Sequence, residues 1–337
     1  MIESLYLLLI ALVIVFLAAE IFTNALEYLG ERMGVSEGVT GSIFAAVGTA
    51  MPETIIPIVA ILAGGAAESV NREVGMGAIL GAPFMLGTLS LGLMAWFAGR
   101  KRGWFASFNP EASGLKRDIL TFFFAFSLVI VAALLPQGWE SARMLVAFSL
   151  FLIYFIYLLR TIRASKALVE DGHGTEADNG LYISRLLGDS TPVAVLQLLA
   201  GLFLLVIGAK VFVHGVEQAS SLFGVSALVV ALLIVPIATE LPEKVNSILW
   251  IRRGRDTLAF GNITGAMVFQ GTVIPAVGML LMPWAFHDVH AVIAVMLALL
   301  GSGLLWFLHQ TGRLNPVFLS MNMLLYAAFT GFVLFTI

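Results

Sequence analysis

The sequence predicts an all-α integral membrane protein: ten transmembrane helices arranged as two inverted five-helix repeats, with the second and seventh helices broken. Three observations predict it. Of 337 residues, 60% are hydrophobic and only 12% charged, against about 25% charged in soluble domains, and the mean hydropathy is +0.99. Most apolar runs exceed the roughly 18 residues that cross a bilayer as helix, and none alternates like the strands of an outer-membrane barrel. One pattern also occurs twice in the same register. Gly34-Val35-Ser36 precedes Thr49-Ala50-Met51-Pro52-Glu53, and Gly224-Val225-Ser226 precedes Thr239-Glu240-Leu241-Pro242-Glu243, with every shared residue 190 positions apart.

Punctuation by Gly, Pro and charge divides the apolar runs into spans near 4–29, 35–64, 74–99, 118–135, 142–161, 192–220, 225–251, 257–282, 289–308 and 315–337. The first run, Leu5 to Ala19, lacks the basic start of a signal peptide, carries Glu3 and continues amphipathically to Leu29, so a retained helix is expected. The domains are then a first repeat at 1–161, a cytoplasmic linker at 162–190 and a second, inverted repeat at 191–337. The linker carries Glu170, Asp171, His173, Glu176 and Asp178; a solvated loop is expected, with a regulatory metal site as the alternative. There are no cysteines, which excludes disulfides, thiolate metal sites and cysteine nucleophiles.

Basic residues orient the bundle. Arg32, the run Arg100-Lys101-Arg102, Lys116, Arg117, Arg160, Arg163, Lys166, Arg185, Arg252, Arg253, Arg255 and Arg313 fall on one side, 14 in all, and only Arg72 and Arg143 on the other. Basic loops stay cytoplasmic, so both termini are expected outside a plasma or inner membrane and 162–190 inside. An odd number of spans per half then makes the repeat an inverted one. The repeat extends through Phe22 and Phe212, Glu27 and Glu217, and Glu20 and Lys210. At an offset of 184 it resumes, with Gly77, Gly81-Ala82 and Gly87-Thr88 matching Gly261, Gly265-Ala266 and Gly271-Thr272.

Proline inside a helix removes a backbone donor and clashes with the preceding turn, so Pro52 and Pro242 should interrupt their spans. Irregular backbone at membrane depth survives where it lines a cavity, and freed carbonyls beside carboxylates suit hard cations such as calcium or sodium. A charge in hydrocarbon costs about 3 kcal/mol or more unless it faces a cavity or a partner. Glu53 and Glu243 are therefore the candidate metal ligands, with Thr49, Thr239 and Glu240 as further cation-binding residues. Inverted halves would bring Glu53 and Glu243 together about a pseudo-two-fold axis. The alternative is that each glutamate only caps the half-helix that starts at its proline.

These motifs, with Gly261-Asn262-Ile263-Thr264-Gly265-Ala266, resemble the two alpha repeats of the cation/calcium exchanger superfamily, which includes the sodium/calcium exchangers. The resemblance covers nearly the whole chain. It implies alternating-access antiport with a divalent cation held between the glutamates of the two repeats. The sodium/calcium branch carries Gly-Ser-Asn or Gly-Ser-Asp in the third and eighth spans; here those places read Gly81-Ala82-Pro83 and Gly265-Ala266-Met267. The small polar residue usual after the motif threonine is Ala50 in one half and Glu240 in the other. Thr88, Thr272, Asn246 and Gln270 are the remaining candidates for extra ligands, each with an ordinary interhelical hydrogen bond as its alternative.

Glu53, Glu240, Glu243 and Lys244 sum to −2. A Glu240–Lys244 pair, four apart on a helix, would leave Glu53 and Glu243 to balance one divalent ion; the alternative is that Lys244 occupies the space and charge held by a monovalent ion in relatives. Glu20 and Lys210 are expected either to pair across the first and sixth spans or to snorkel separately. The expected function is secondary antiport of calcium against sodium or protons. The alternatives are another divalent cation or small solute on the same fold, or a channel or non-transporting membrane protein. No cofactor is expected, and the partners are the lipid bilayer and inorganic cations, not nucleic acid. No enzyme is expected: Ser-His and His-Glu-x-x-His arrangements are absent, and His214, His287, His290 and His309 fall near span ends as polar anchors. Epitope tags placed before Met1 and after Ile337 are expected to be reachable from outside the cell, and one within 162–190 only after permeabilisation. Termini on opposite faces would break the inverted repeat.

Overall fold

The computed structural model describes residues 2–32, 50–62, 68–170, 180–286 and 288–336, and every regular element among them is helical. The first half holds α1 (Ile2–Arg32), α2 (Met51–Leu62), α3 (Glu68–Met85), α4 (Leu91–Arg102), α5 (Ala112–Leu134) and α6 (Glu140–Glu170). A short α7 (Ser184–Leu187) leads into α8 (Thr191–Phe223), α9 (Ala227–Thr239), α10 (Leu241–Arg252), α11 (Asp256–Gln270) and α12 (Val273–Leu281). The chain closes with α13 (Val289–Gln310), α14 (Pro316–Ser320) and α15 (Asn322–Thr336).

Among the described residues, eight helical stretches are long and apolar enough to cross a membrane, and Met51–Leu62 and Ala227–Ile237 are shorter apolar helices. The seventh expected span is broken: α9 ends at Thr239, α10 begins at Leu241, and Glu240 is the joint with φ −101° and ψ 11°. The described part of the second span begins as helix at Met51; the first Gly34-Val35-Ser36 and Thr49 lie outside the described residues. Helix α6 runs to Glu170, past the boundary expected at 161, and α7 adds a helical turn. The expected linker is thus partly helical, while 171–179 lie outside the described residues.

Two further interruptions were not expected. The third span, Glu68–Arg102, contains a π-helical turn at Leu86–Ser90, and the eighth breaks between α11 and α12 at Gly271-Thr272. Both fall at the matched Gly-Thr pairs, 87–88 and 271–272. A π-turn places carbonyls out of α-helical register. Asn322, fully buried, donates its side-chain amide to Gly87 O (3.0 Å) and Gly301 O (3.1 Å) across α13.

Small residues set the closest approaches. On α3 a Cβ at Gly77 would stand 2.9 Å from the Ala231 methyl, and one at Gly81 2.9 Å from Leu232 Cα, so α3 and α9 pack nearly backbone to backbone. Helix α1 packs chiefly on α8. Gly201, Gly208 and Gly215 of α8 receive Phe22, Val15 and Leu8 of α1, two heptad series running antiparallel. One end of this pair holds Asn24, whose amide donates to Gly180 O (3.2 Å) and whose carbonyl accepts from Tyr182 N (3.0 Å) and Gln197 Nε2 (2.8 Å).

The same antiparallel alignment separates Glu20 from Lys210. With residue 22 over 201 and 15 over 208, they lie about 10 Å apart along the axis. Glu20 accepts instead from the Tyr182 hydroxyl (3.2 Å), and among the described residues no ion pair joins it to Lys210. His290 and His309 do lie near helix ends, with His290 beside Asp288 (2.7 Å); His214, beside Gln218 (3.0 Å), instead lies more than two turns before the end of α8, and His287 lies outside the described residues. Exposed Leu9, Val13, Phe148, Leu152, Phe203 and Leu300 leave a lipid-compatible apolar perimeter. Gly208→Leu drives a side chain into Val15 and is expected to lower stability by about 1–3 kcal/mol, read as a drop in detergent melting temperature; Gly303→Ala, with only the Phe123 ring edge 3.7 Å from its Cβ, is the neutral control.

Candidate cation-binding site

The second Thr-x-x-Pro-Glu motif is built by the turn before it. Gly224 ends α8 in the left-handed region at φ 66°, which only glycine adopts without strain, and Ser226 caps α9 by accepting from Val229 N (3.3 Å). Gly-Val-Ser is thus a tight turn and helix cap that aims α9 back into the membrane. Pro236 lies inside α9 and Pro242 in the first turn of α10, so two backbone donors are missing on either side of Glu240.

At this joint the polar side chains converge. Glu240, 1% exposed, accepts from Gln270 Nε2 through Oε1 (2.8 Å) and faces Lys244 Nζ through Oε2 (3.5 Å). Lys244, 7% exposed, also donates to Pro236 O (3.2 Å), a carbonyl in the last turn of α9. The expected i, i+4 pair is therefore formed, and both Glu240 oxygens are engaged by protein donors. Thr239 is buried and donates to Val235 O (3.1 Å). The backbone of Glu243 and Asn246 belongs to α10, but their side chains, like that of Pro242, lie outside what is described.

Glu53 lies in the first turn of α2 and is 6% exposed. Negative charge there is favoured by the helix dipole. Beside it Thr54 donates to Ala50 O (2.6 Å). A narrow seam too tight for water continues along α2 between Thr54, Pro57, Ile61, Ile79, Ile274 and Gly278, with Thr54 supplying its one hydroxyl. Among the described residues no three His, Asp or Glu side chains gather in one place.

The other candidates separate. Gln270 reaches the joint through Glu240. Thr88 donates to Phe84 O (2.5 Å) and Thr272 to Val268 O (2.6 Å), each within its own helix at an interruption. Asn262 of the second glycine motif donates to Ser247 Oγ (2.9 Å), tying α11 to α10.

Two buried acids escaped the sequence reading. Asp118 accepts from Thr264 Oγ1 (2.7 Å) and Tyr157 hydroxyl (3.0 Å), with Arg117 Nε at 3.7 Å, joining α5, α6 and α11. Asp256 takes both Arg102 nitrogens (2.5 and 3.3 Å) and the Asn109 amide (2.7 Å). Both lie at or beside predicted span ends, where acids read as loop charges; the basic neighbours at Arg102 and Arg117 were the available signal.

A model of the sodium/calcium exchanger protein family matches residues 3–163 and 193–335. The chain is 26% identical over 346 aligned positions to a protein of Alkalimonas amylolytica that carries the name "Putative antiporter CaxA", covering 96% of this chain and 95% of that one. It is 24% identical to the sodium/calcium exchanger MaX1 of Methanosarcina acetivorans, covering 77% and 78%. A crystal structure of the H+/Ca2+ exchanger CAX superposes on 98% of this chain and 86% of its own, with a TM-score of 0.69 and 16% identity, a likeness of fold. Gln270→Leu leaves Glu240 Oε1 without its donor and is expected to cost about 1–3 kcal/mol, measured by detergent unfolding.

Proposed function

The chain belongs to the sodium/calcium exchanger protein family, and we propose that it is a secondary active antiporter that exchanges calcium for sodium or protons by alternating access. In this reading the two halves are inverted five-helix repeats, 1–161 and 191–337, with both termini outside and the connection 162–190 cytoplasmic. Glu53 and Glu243 are the cargo ligands, one from each half, assisted by the hydroxyl or carbonyl oxygens of Thr49 and Thr239.

The observation that carries this reading is a glutamate buried in the first turn of a half-helix, Glu53, within a Thr-x-x-Pro-Glu motif whose second copy sits at a helix break. A carboxylate at membrane depth that served only as a cap would need no duplicate in an inverted half. Two facing carboxylates match the charge of one divalent ion, and broken helices supply neutral oxygens around it. Glu240 is not a cargo ligand in this reading, because its two oxygens are held by Lys244 and Gln270. The relatives' names support antiport. The alanine, proline and methionine at 82, 83 and 267 leave fewer side-chain oxygens for several sodium ions, so both sodium and proton gradients drive the test.

In proteoliposomes, gradient-driven calcium uptake is expected from the wild-type chain. Glu53→Gln and Glu243→Gln, which keep size and lose charge, should each reduce it roughly a hundredfold or more, the scale of leaving a buried charge without its counter-charge. Uptake near the wild-type rate in either variant, at normal expression and melting temperature, would reduce the Pro-Glu motif to a helix cap.

A further inference from the structure

The corner between α4 and α5 carries a basic run beside exposed aromatic rings. Helix α4 ends in Arg100-Lys101-Arg102, and Gly103 turns the chain at φ 101°. A helix C-terminus favours cations, but the three are not used alike. Arg102 turns inward, where it holds Asp256 and also donates to Ile251 O (3.0 Å) and Ser107 O (3.4 Å). Arg100 and Lys101 are exposed, and among the described residues no carboxylate pairs with either. The Arg100 guanidinium lies over the Trp96 ring, 5.0 Å from its centroid.

The aromatic side chains beyond the turn sit on a fastened backbone. The Trp104 ring lies against Gly99, 2.6 Å from where a Cβ would stand, with Pro316 at 3.0 Å from the same point. Trp104 O accepts from Val317 N (3.1 Å), Phe108 N donates to Leu314 O (2.9 Å) and Asn109 N to Asp256 Oδ2 (2.7 Å). On this loop Phe105 is 79% exposed and Trp104 39%. A single exposed ring is ordinary. Here a phenyl, an indole and two unpaired cations share one corner at the end of a membrane-length helix. That combination suits the headgroup layer, with rings at the acyl boundary and cations on phosphates. Arg160 and Arg163 of α6 are also exposed and unpaired, but no aromatic residue follows them up to the helix end at Glu170.

We propose that Arg100, Lys101, Trp104 and Phe105 form a docking surface for an anionic phospholipid, its phosphate on the two cations and its acyl chains against the two rings. The surface is independent of the cargo reading. Arg102 and Asp256 hold the corner in place beforehand, so little chain ordering has to accompany binding. In the orientation proposed above, the corner meets the cytoplasmic leaflet, the more anionic of the two; binding itself does not depend on that orientation.

The test counts lipids retained by the full chain in neutral detergent, by native mass spectrometry, titrating phosphatidylglycerol against phosphatidylcholine with the same acyl chains. Phosphatidylglycerol is expected to be retained and phosphatidylcholine to be lost, and high salt should weaken the retention. Arg100→Gln with Lys101→Gln should weaken phosphatidylglycerol binding about twentyfold, from roughly fivefold for each basic residue. Arg160→Gln with Arg163→Gln should leave it unchanged. Phe105→Ser keeps both charges and should also weaken it, through the lost ring contact. Equal retention of the two lipids overturns the proposal, and that comparison on the wild-type chain decides even if a variant fails to fold. Equal weakening by the two double variants overturns it too, reducing the surface to general basic charge. Displacement of the lipid by glycerol phosphate at equal concentration marks a free-anion site and overturns the lipid assignment. Retention unaffected by Phe105→Ser, with the melting temperature unchanged, overturns the part given to the rings.

Discussion

Hydrocarbon offers no hydrogen bonds, so every backbone polar group at membrane depth has to be satisfied by the protein itself. The architecture follows from that constraint. Helices satisfy it along most of the chain, and each interruption is answered by a named donor or by close-packed backbone. The π-turn at 86–90 is answered by Asn322, which reaches Gly87 O and Gly301 O from another helix. At the joint, Pro236 O accepts from both Glu240 N and Lys244 Nζ. At Gly271 the chain lies against the Phe122 ring, 2.8 Å from where a Cβ would stand, so substitution there would disturb both break and neighbour. Glycine recurs at these places because the answering helix has to come close.

Charges obey the same constraint at two depths. Near the basic-loop face, Arg102 with Asp256 and Asp118 with Tyr157 and Thr264 tie together elements about 150 residues or less apart in sequence. Each acid there is surrounded by donors from different helices, which makes these networks fasteners of the scaffold: breaking one partner away costs several kcal/mol even though the intact pair adds little net stability. The networks also explain how α11 can be interrupted next to Gln270 and remain placed. Thr264 fixes it to α5 and Asn262 fixes it to α10, leaving the C-terminal end at Gln270 free to serve Glu240.

What the sequence made legible is what acts locally. Hydropathy marked the spans, and proline inside an apolar run marked the joint at 240. The spacing of Glu240 and Lys244 announced their pair. Partners across helices were not legible: nothing in spacing links Gln270 to Glu240, or Asp118 to Thr264, because those contacts arise from how separately formed helices stack. The matched Gly-Thr pairs were seen as a repeat and their threonines taken as ligand candidates; in the fold they mark the unexpected interruptions, with hydroxyls turned to their own helices. Glu20 and Lys210 do not pair because the antiparallel register of α1 on α8 sets them about two turns apart. The end of α6 escaped because nothing in 162–170 stops a helix; hydropathy records where a helix leaves the membrane, not where it ends.

The duplicated motif is symmetric in its prolines and glutamates and asymmetric in what lies between and after them, and the asymmetry is physically constrained. A lone glutamate at 240 would be an uncompensated buried charge; a lone lysine at 244 would be one of opposite sign. Either alone costs several kcal/mol. Together they cost much less, because they lie one helical turn apart and the ammonium also donates to Pro236 O, which accepts from Glu240 N as well. A carbonyl oxygen has two lone pairs, so Pro236 O serves both the backbone of the joint and the buried lysine.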